Sequence, residues 1–340
     1  MTQGMQNTGT GILGKVWKHR WLLRAMIDGR CPPPQWGIIA PTTNICNLSC
    51  PFCKTGNKTL TLPKKMMSLE DYKIVLDKLP SVFRELHLYG WGEPLIHPDF
   101  PEMVRLAKAR GIETYIDTNL ALPLTPERIR EIIECGLDDM TISCDGVTQA
   151  TYERYRVGGR VDQVFANIKA FTEAKKELKS NTPRITWKYL INRWSEPELP
   201  MGYEKAKELG VTFNKFGMSI PPERYDEWKS EKFHPAVPPE FHSPRAICTW
   251  LFQAIIVHSD GSVTPCCYMD SHHDIVGNLL ESDFDAVWNG PLMRKTRRVF
   301  IPMLFSGQGV KPIQTCVDCK IYAHWNQALK ARLFSKKPSA

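Results

Sequence analysis

Thr43-Asn44-Ile45-Cys46-Asn47-Leu48-Ser49-Cys50-Pro51-Phe52-Cys53 sets three cysteines in a Cys-x3-Cys-x2-Cys spacing. Three thiolates this close on one loop can converge on a single cluster of iron and sulfide. The loop supplies no fourth ligand. For structural zinc, whose sites are closed and four-coordinate, that is a defect. For an iron–sulfur cube it leaves one iron open to an incoming molecule. The loop directly follows a β-like run, Trp36 to Thr43, and this position links the chemistry to the architecture.

Downstream, the sequence alternates β-like and helix-like segments as far as Ile220, the pattern of a parallel sheet with helices packed outside it. After the first run, the strand candidates are Glu85 to Gly92, Ile112 to Asn119, Asp139 to Asp145, Arg184 to Asn192 and Thr212 to Ile220. Helix starts are marked by Ser68 with Asp71, Thr125 with Pro126, and Ser195 with Glu198. Gly111, Gly136 and Gly210 stand where helices should stop. Val161, Val164, Phe165, Ile168 and Phe171 fall on one helical face. Repeated βα units predict a partial (β/α)6 TIM-like barrel, with its working residues at the C-terminal strand ends.

The chain has 340 residues, 42% of them hydrophobic and 24% charged, which excludes a disordered protein. No apolar run approaches the roughly 18 residues of a spanning helix, and no secretory signal segment is readable at the start. A cytoplasmic protein is expected. There, 11 cysteines make a poor disulfide framework and a better metal or redox inventory. The formal charge of +8 is dispersed along the chain. Thiolate-bound clusters would lower it to roughly +5, and no nucleic-acid partner is expected. Residues 11–30 mix Lys15, Lys18, Arg20, Arg24 and Arg30 with apolar positions. A helix covering one end of the barrel is favoured over contact with a membrane surface.

Three further motifs follow the strands in order: Gly90-Trp91-Gly92-Glu93-Pro94, Thr118-Asn119-Leu120, and Ile142-Ser143-Cys144-Asp145-Gly146 followed by Arg156. Together with the cysteine triplet, they resemble the signature of radical S-adenosylmethionine (SAM) enzymes. The resemblance implies that Cys46, Cys50 and Cys53 hold a [4Fe–4S] cluster whose open iron binds SAM. Reduction of the cluster would cleave SAM to a 5′-deoxyadenosyl radical. It implies Phe52 beside the adenine, Gly92 and Glu93 at the SAM ammonium, Asn119 orienting SAM or substrate, Ser143 and Asp145 near the ribose, and Arg156 against the SAM carboxylate. Leu120 departs from the glycine usual in relatives, and with it goes any contact dependent on glycine's backbone freedom.

Past a proline-rich and charged stretch, Cys248, Gly261, Cys266 and the pair Cys316/Cys319 form a second cysteine set. A turn at Asp260-Gly261 would carry Cys266 back towards Cys248. Iron–sulfur or tetrahedral zinc ligation would each suit these thiols. With Gly277-Asn278-Leu279 and Trp288-Asn289, the region resembles the SPASM/twitch extension of the same family. No cysteine follows Cys319, and His324-Trp325 stands where a full SPASM pattern would continue. The shorter twitch form is therefore expected, a β-hairpin plus helix with one auxiliary [4Fe–4S] cluster on Cys248, Cys266, Cys316 and Cys319. Cys267 competes with Cys266. Cys31, Cys135 and Cys144 read as small core residues.

The expected organisation is a basic helical extension over 1–35, the barrel over 36–220, a linker over 221–247, and the auxiliary-cluster domain with a C-terminal helix over 248–340. A fully ligated second cluster can relay one electron but not readily bind substrate. The expected activity is thus a radical SAM oxidoreductase with SAM as co-substrate, acting on a small, carbohydrate-like or anionic molecule. Dehydrogenation of a carbohydrate-type alcohol is the favoured reaction, with flavodoxin or ferredoxin as reductant. The alternatives are an epimerase using Cys144 or Cys267 as hydrogen donor, a peptide-modifying maturase, and a molybdopterin-type cyclase. The short segment ahead of the barrel and the terminal Lys336-Lys337-Pro338-Ser339-Ala340 weigh against the last two. A noncatalytic zinc or iron–sulfur module is the non-enzymatic alternative. Trp91, Trp187, Lys188 and Tyr189 are expected to face the substrate pocket, and the acid or base group is not assigned.

Overall fold

A computed structural model describes residues 28–233, 248, 250–269, 271–299, 316 and 319. The proposed helix over 11–30, apart from its last three residues, and the C-terminal helix with His324 and Trp325 lie outside the described residues. The first half runs β1 (Trp36–Ile39), β2 (Thr42–Thr43), β3 (Lys65–Met66), α1 (Leu69–Lys78), β4 (Glu85–His87), α2 (Phe100–Lys108), β5 (Glu113–Thr118), α3 (Pro126–Glu134) and β6 (Asp139–Ser143). It continues with α4 (Gln149–Tyr155), α5 (Val161–Glu177), β7 (Arg184–Ile191), α6 (Leu199–Leu209), β8 (Thr212–Gly217) and α7 (Tyr225–Trp228). The last part holds α8 (Trp250–Gln253), β9 (Ala254–Val257), β10 (Ser262–Thr264), β11 (Gly277–Asn278), α9 (Phe284–Trp288) and α10 (Pro291–Val299).

Six strands, β1-β4-β5-β6-β7-β8, pair in parallel in that order. The sheet is a partial barrel: β8 ends one edge, and β11-β10-β9 extend the other beyond β1. Each strand ends short of its sequence-based limit because the residues beyond the last pairing become the loops of the site. Alternation sorts the faces. Ile116, Met140, Ile142, Trp187 and Tyr189 join α1, α2, α3 and α5 in one continuous core.

Ser68 caps α1 by accepting from Asp71 N at 3.0 Å, and Thr125 caps α3 by accepting from Arg128 N at 3.2 Å. Ser195 does not cap α6. Its hydroxyl donates to Leu190 O at 3.0 Å and accepts from Asn192 N at 2.9 Å, so it locks the end of β7 instead. Gly111, Gly136 and Gly210 take the left-handed backbone, with φ of +70°, +87° and +71°.

The auxiliary hairpin shares the barrel's sheet. β9 pairs in parallel with β1, from Trp36 opposite Ala254 to Ile39 opposite Val257. Its turn closes through His258 N to Ser262 O at 2.8 Å and Gly261 N to His258 O at 2.9 Å. Trp288 and Asn289 then clamp the chain ahead of β1: the Trp288 indole donates to Pro32 O at 2.8 Å, and Asn289 Oδ1 accepts from Cys31 N at 2.9 Å.

His258 is 1% exposed, with Nε2 at 3.0 Å from Thr264 Oγ1. Burial pushes its pKa down to about 4. The folded imidazole stays neutral where the unfolded one protonates, so this stability is present above the unfolded value near 6.5 and is lost as pH falls towards 4. Between pH 7 and pH 5 the hairpin should lose about 2 kcal/mol. Pulse proteolysis in urea at the two pH values measures it, with His258→Gln as control. An equal loss in the control would refute the assignment.

Candidate active site

The cysteine loop leaves β2 and is gripped on three sides. From the turn after β4, Glu93 N donates to Ile45 O at 2.8 Å, and Trp91 O accepts from Thr55 Oγ1 at 3.1 Å. From the end of β5, Asn119 Nδ2 donates to Asn47 Oδ1 at 2.9 Å and stands 3.7 Å from Cys46 Sγ. From the segment after α4, Val157 O accepts from Ser49 N at 2.9 Å, and Arg156 Nη1 stands 3.9 Å from Cys50 Sγ. The closest approach needs Gly92: a Cβ there would meet Thr42 Oγ1 at 2.5 Å and Ile45 O at 2.8 Å.

Burial pushes the Cys46 thiol up to about 12, and the neighbouring Glu93, Cys50 and Cys53 add to the rise while the Leu48 N–H opposes it. Cys50 is raised by burial too, with Arg156 opposing. Such thiols ionise only when positive charge enters among them, which suits an iron cluster. Among the described residues, no three His, Cys, Asp or Glu side chains are drawn tightly enough to hold a single metal ion. Sulfurs around a cube stand further apart than sulfurs around one ion, because the iron–sulfide core lies between them.

The predicted SAM-contacting residues surround this loop, and their side chains are already engaged. Glu93 is 2% exposed, and its carboxyl accepts from Thr118 Oγ1 at 2.6 Å, Asn119 N at 2.8 Å and Leu95 N at 3.1 Å. Three of about four acceptor positions are thus taken, so the side chain fastens the turn to β5. Burial raises its pKa to about 7 against those hydrogen bonds. Asp145 accepts from Arg156 Nε at 2.6 Å and from Leu190 N at 2.7 Å. Ser143 donates to Asp117 Oδ1 at 2.7 Å. Arg156 is a buried partner of Asp145, with 12% of its side chain exposed, rather than a solvated helix residue.

Leu120 occupies the usual glycine position with φ +51° and is fully buried. Its N–H donates to Thr118 Oγ1 at 3.0 Å and its carbonyl accepts from Asn167 Nδ2 at 2.9 Å, which holds the left-handed backbone. That conformation costs a non-glycine residue about 1–2 kcal/mol. Leu120→Ala should therefore lose about 3 kcal/mol and Leu120→Gly about 1 kcal/mol less, reversing the usual order. Thermal unfolding of both variants checks it; a greater loss for glycine would refute the strain.

The concave face of the sheet carries a polar group that the motifs did not announce. Lys188 on β7 pairs with Asp117 on β5, which also takes the Ser143 hydroxyl. Tyr89 packs edge-on against His87 at 5.5 Å; burial raises its pKa first, then Asp117, Cys267 and Glu85. Deeper, Tyr115 stacks on His87 at 5.0 Å, and His87 packs edge-on against Trp36 at 5.5 Å. The sequence placed Trp187 and Tyr189 in the pocket, but strand alternation puts them on the opposite face. Trp187 donates to Cys144 O at 2.7 Å and Tyr189 to Ser195 O at 2.8 Å, both buried under helices. Cys144, on the same side and fully buried, is cut off from the concave face and cannot serve there as hydrogen donor.

The second cysteine set is also gathered. Cys248, Cys316 and Cys266 share a small apolar cluster with Leu251 and Met269, and Cys319 N donates to Cys316 O at 3.3 Å. Burial pushes Cys316 up to about 12, with Cys248, Cys319 and Cys266 adding to it. Cys267 lies outside that apolar cluster and within electrostatic reach of Tyr89.

Residues 40–185 match the family model described as the radical SAM superfamily. The chain carries a radical SAM domain. Residues 248–320 match SPASM, an iron–sulfur cluster-binding domain. An AdoMet-dependent heme synthase from Methanosarcina barkeri is 25% identical across 74% of this radical SAM chain and 82% of its own length. A PqqA peptide cyclase from Gluconobacter oxydans is 28% identical over 53% of the chain and 48% of its own length. Among solved structures, Streptococcus suis SuiB bound to S-adenosylmethionine covers 95% of the chain with a TM-score of 0.62 at 15% identity, 77% of its own chain being matched. BtrN in complex with AdoMet and 2-DOIA covers 86%, with 92% of its own chain matched, a TM-score of 0.53 and 14% identity. These likenesses establish the shared fold. The cofactors of this radical SAM enzyme are a [4Fe–4S] cluster, an auxiliary cluster and SAM.

Proposed function

We propose that this chain is a radical SAM oxidoreductase that dehydrogenates a small, polar, carbohydrate-type alcohol in the cytoplasm, with flavodoxin or ferredoxin as electron donor. The observation that carries the reading is the charged, hydrogen-bonding floor of Asp117, Ser143, Lys188 and Tyr89, set below the strand-end loops and within electrostatic reach of Cys267. A floor of that kind suits a molecule rich in hydroxyl groups.

In this reading Cys46, Cys50 and Cys53 hold the SAM-binding cluster, and Cys248, Cys266, Cys316 and Cys319 hold the auxiliary one. When bound, the first cluster and SAM supply a hydrogen-abstracting 5′-deoxyadenosyl radical, and the auxiliary cluster supplies a one-electron acceptor. The chain's own residues position and move protons. Asn119 and Arg156 brace the cysteine loop, Lys188 orients the hydroxyl, and Asp117 takes the hydroxyl proton as the ketone forms.

The test is anaerobically reconstituted protein with SAM and dithionite, followed by a panel of polyols and aminocyclitols. 5′-Deoxyadenosine and a product two mass units lighter are expected; no 5′-deoxyadenosine would sink the radical reading. Solvent deuterium returned to unoxidised product would favour epimerisation. A tetrapyrrole substrate is the second reading, favoured by the heme synthase that aligns over 74% of the chain. Turnover of iron coproporphyrin III under the same conditions would displace the alcohol.

A further inference from the structure

Four aromatic rings gather against the cysteine loop. Phe52 lies 4.8 Å from Trp228, edge to face, and 5.7 Å from Tyr155. Trp228 lies 4.6 Å from Trp194 and 6.0 Å from Tyr155. With Leu48, Cys50 and Met218, these rings make a small core separate from the main one. Trp228 is its hub, touching the other three rings at 4% exposure. Arg156 lies over Tyr155 and Arg224 over Phe52, so the cluster is roofed by guanidinium groups.

Trp228 arrives on a strap that the sequence had read as linker. Arg193 N donates to Trp228 O at 3.0 Å, and the Glu196 carboxylate accepts from Ser230 Oγ at 2.7 Å and Glu231 N at 2.9 Å. Tyr225–Trp228 is one turn of helix, too short to be stable alone. Its place is fixed by these ties and by the ring it inserts beside Phe52.

We propose that Trp228 is a positioning residue for the purine ring of SAM. Phe52 is the only aromatic in the loop that carries the three cysteines, and a flat purine binds best against an aromatic face that is already fixed. Trp228 fixes that face. The inference rests on the radical SAM reading and adds a residue from beyond the barrel strands.

The test is SAM binding to the anaerobic, cluster-loaded protein, by equilibrium dialysis and by tryptophan emission. Trp228→Leu should weaken SAM binding at least tenfold, and Trp228→Phe, which keeps a ring, less than threefold. The KM for SAM should follow the binding constant, while kcat for SAM cleavage at saturation stays within twofold. SAM should quench emission in the wild type, and this quench should shrink in Trp228→Phe, a readout that a purely structural role would not move. If Trp228→Leu does not load clusters, Trp194→Leu, one ring further out, should weaken SAM binding two- to fivefold. Wild-type affinity in Trp228→Leu, or in Trp194→Leu where that replaces it, or an unaltered quench in Trp228→Phe, would overturn the proposal. A wild-type protein that binds no SAM would overturn the radical SAM reading instead.

Discussion

Replacing Cys46, Cys50 and Cys53 together with alanine should reduce 5′-deoxyadenosine formation to the background of dithionite and SAM alone, while iron falls from about eight per chain to about four. The two cysteine sets are separate in space: one sits in the apolar group with Leu48 and Trp228, the other with Leu251 and Met269. They are tied by the β1–β9 backbone register and by the Thr43 hydroxyl, which accepts from Ser259 N at 3.1 Å. None of those ties uses a thiol, so the auxiliary site should load normally in the triple variant. The reciprocal pair, Cys248→Ala with Cys316→Ala, should keep SAM cleavage and lose the coupled two-electron oxidation. Iron analysis, electron paramagnetic resonance and chromatography of the nucleoside read all three quantities. Surviving SAM cleavage in the triple variant would remove Cys46, Cys50 and Cys53 from the reaction.

Much of this architecture was legible because its signals are local. Periodicity and capping residues mark six strands and the helices between them, and Asp260-Gly261 marks the hairpin. What the sequence reading missed was which way β7 faces. β7 reads Arg-Ile-Thr-Trp-Lys-Tyr-Leu-Ile, and an aromatic in such a run suits either side. Only the packing of Trp187 against Phe165 and Phe213, at 5.4 and 5.1 Å, assigns it to the helices and leaves Lys188 inside. The usable signal was the alternation of Arg184, Thr186 and Lys188 with Ile185, Trp187 and Tyr189, since a charge on a sheet strand has to meet a partner or open space. The strap carrying Trp228 was missed for the opposite reason. Proline and charge describe its solvent side, and a single indole carries its packing.

Arg156→Met should destabilise the fold by about 3–5 kcal/mol. The side chain of Asp145 has no exposure, and its other contact is the Leu190 N–H at 2.7 Å. Although burial works the other way, Asp145 and Cys50 hold Arg156 firmly protonated. Removing the guanidinium therefore strands a carboxylate in the protein interior. Asp145→Asn in the same chain should recover most of the loss, because a neutral amide can still accept from Leu190 without an uncompensated charge. Urea unfolding of the two single variants and the double variant gives the coupling energy, and additive losses would show that the pair does not act as one unit. The same series separates stability from chemistry. Arg156 also stands 3.9 Å from Cys50 Sγ, where its positive charge favours the thiolate. The double variant should regain the fold while loading its first cluster less tightly than the wild type, since its repaired interior lacks the cation beside Cys50.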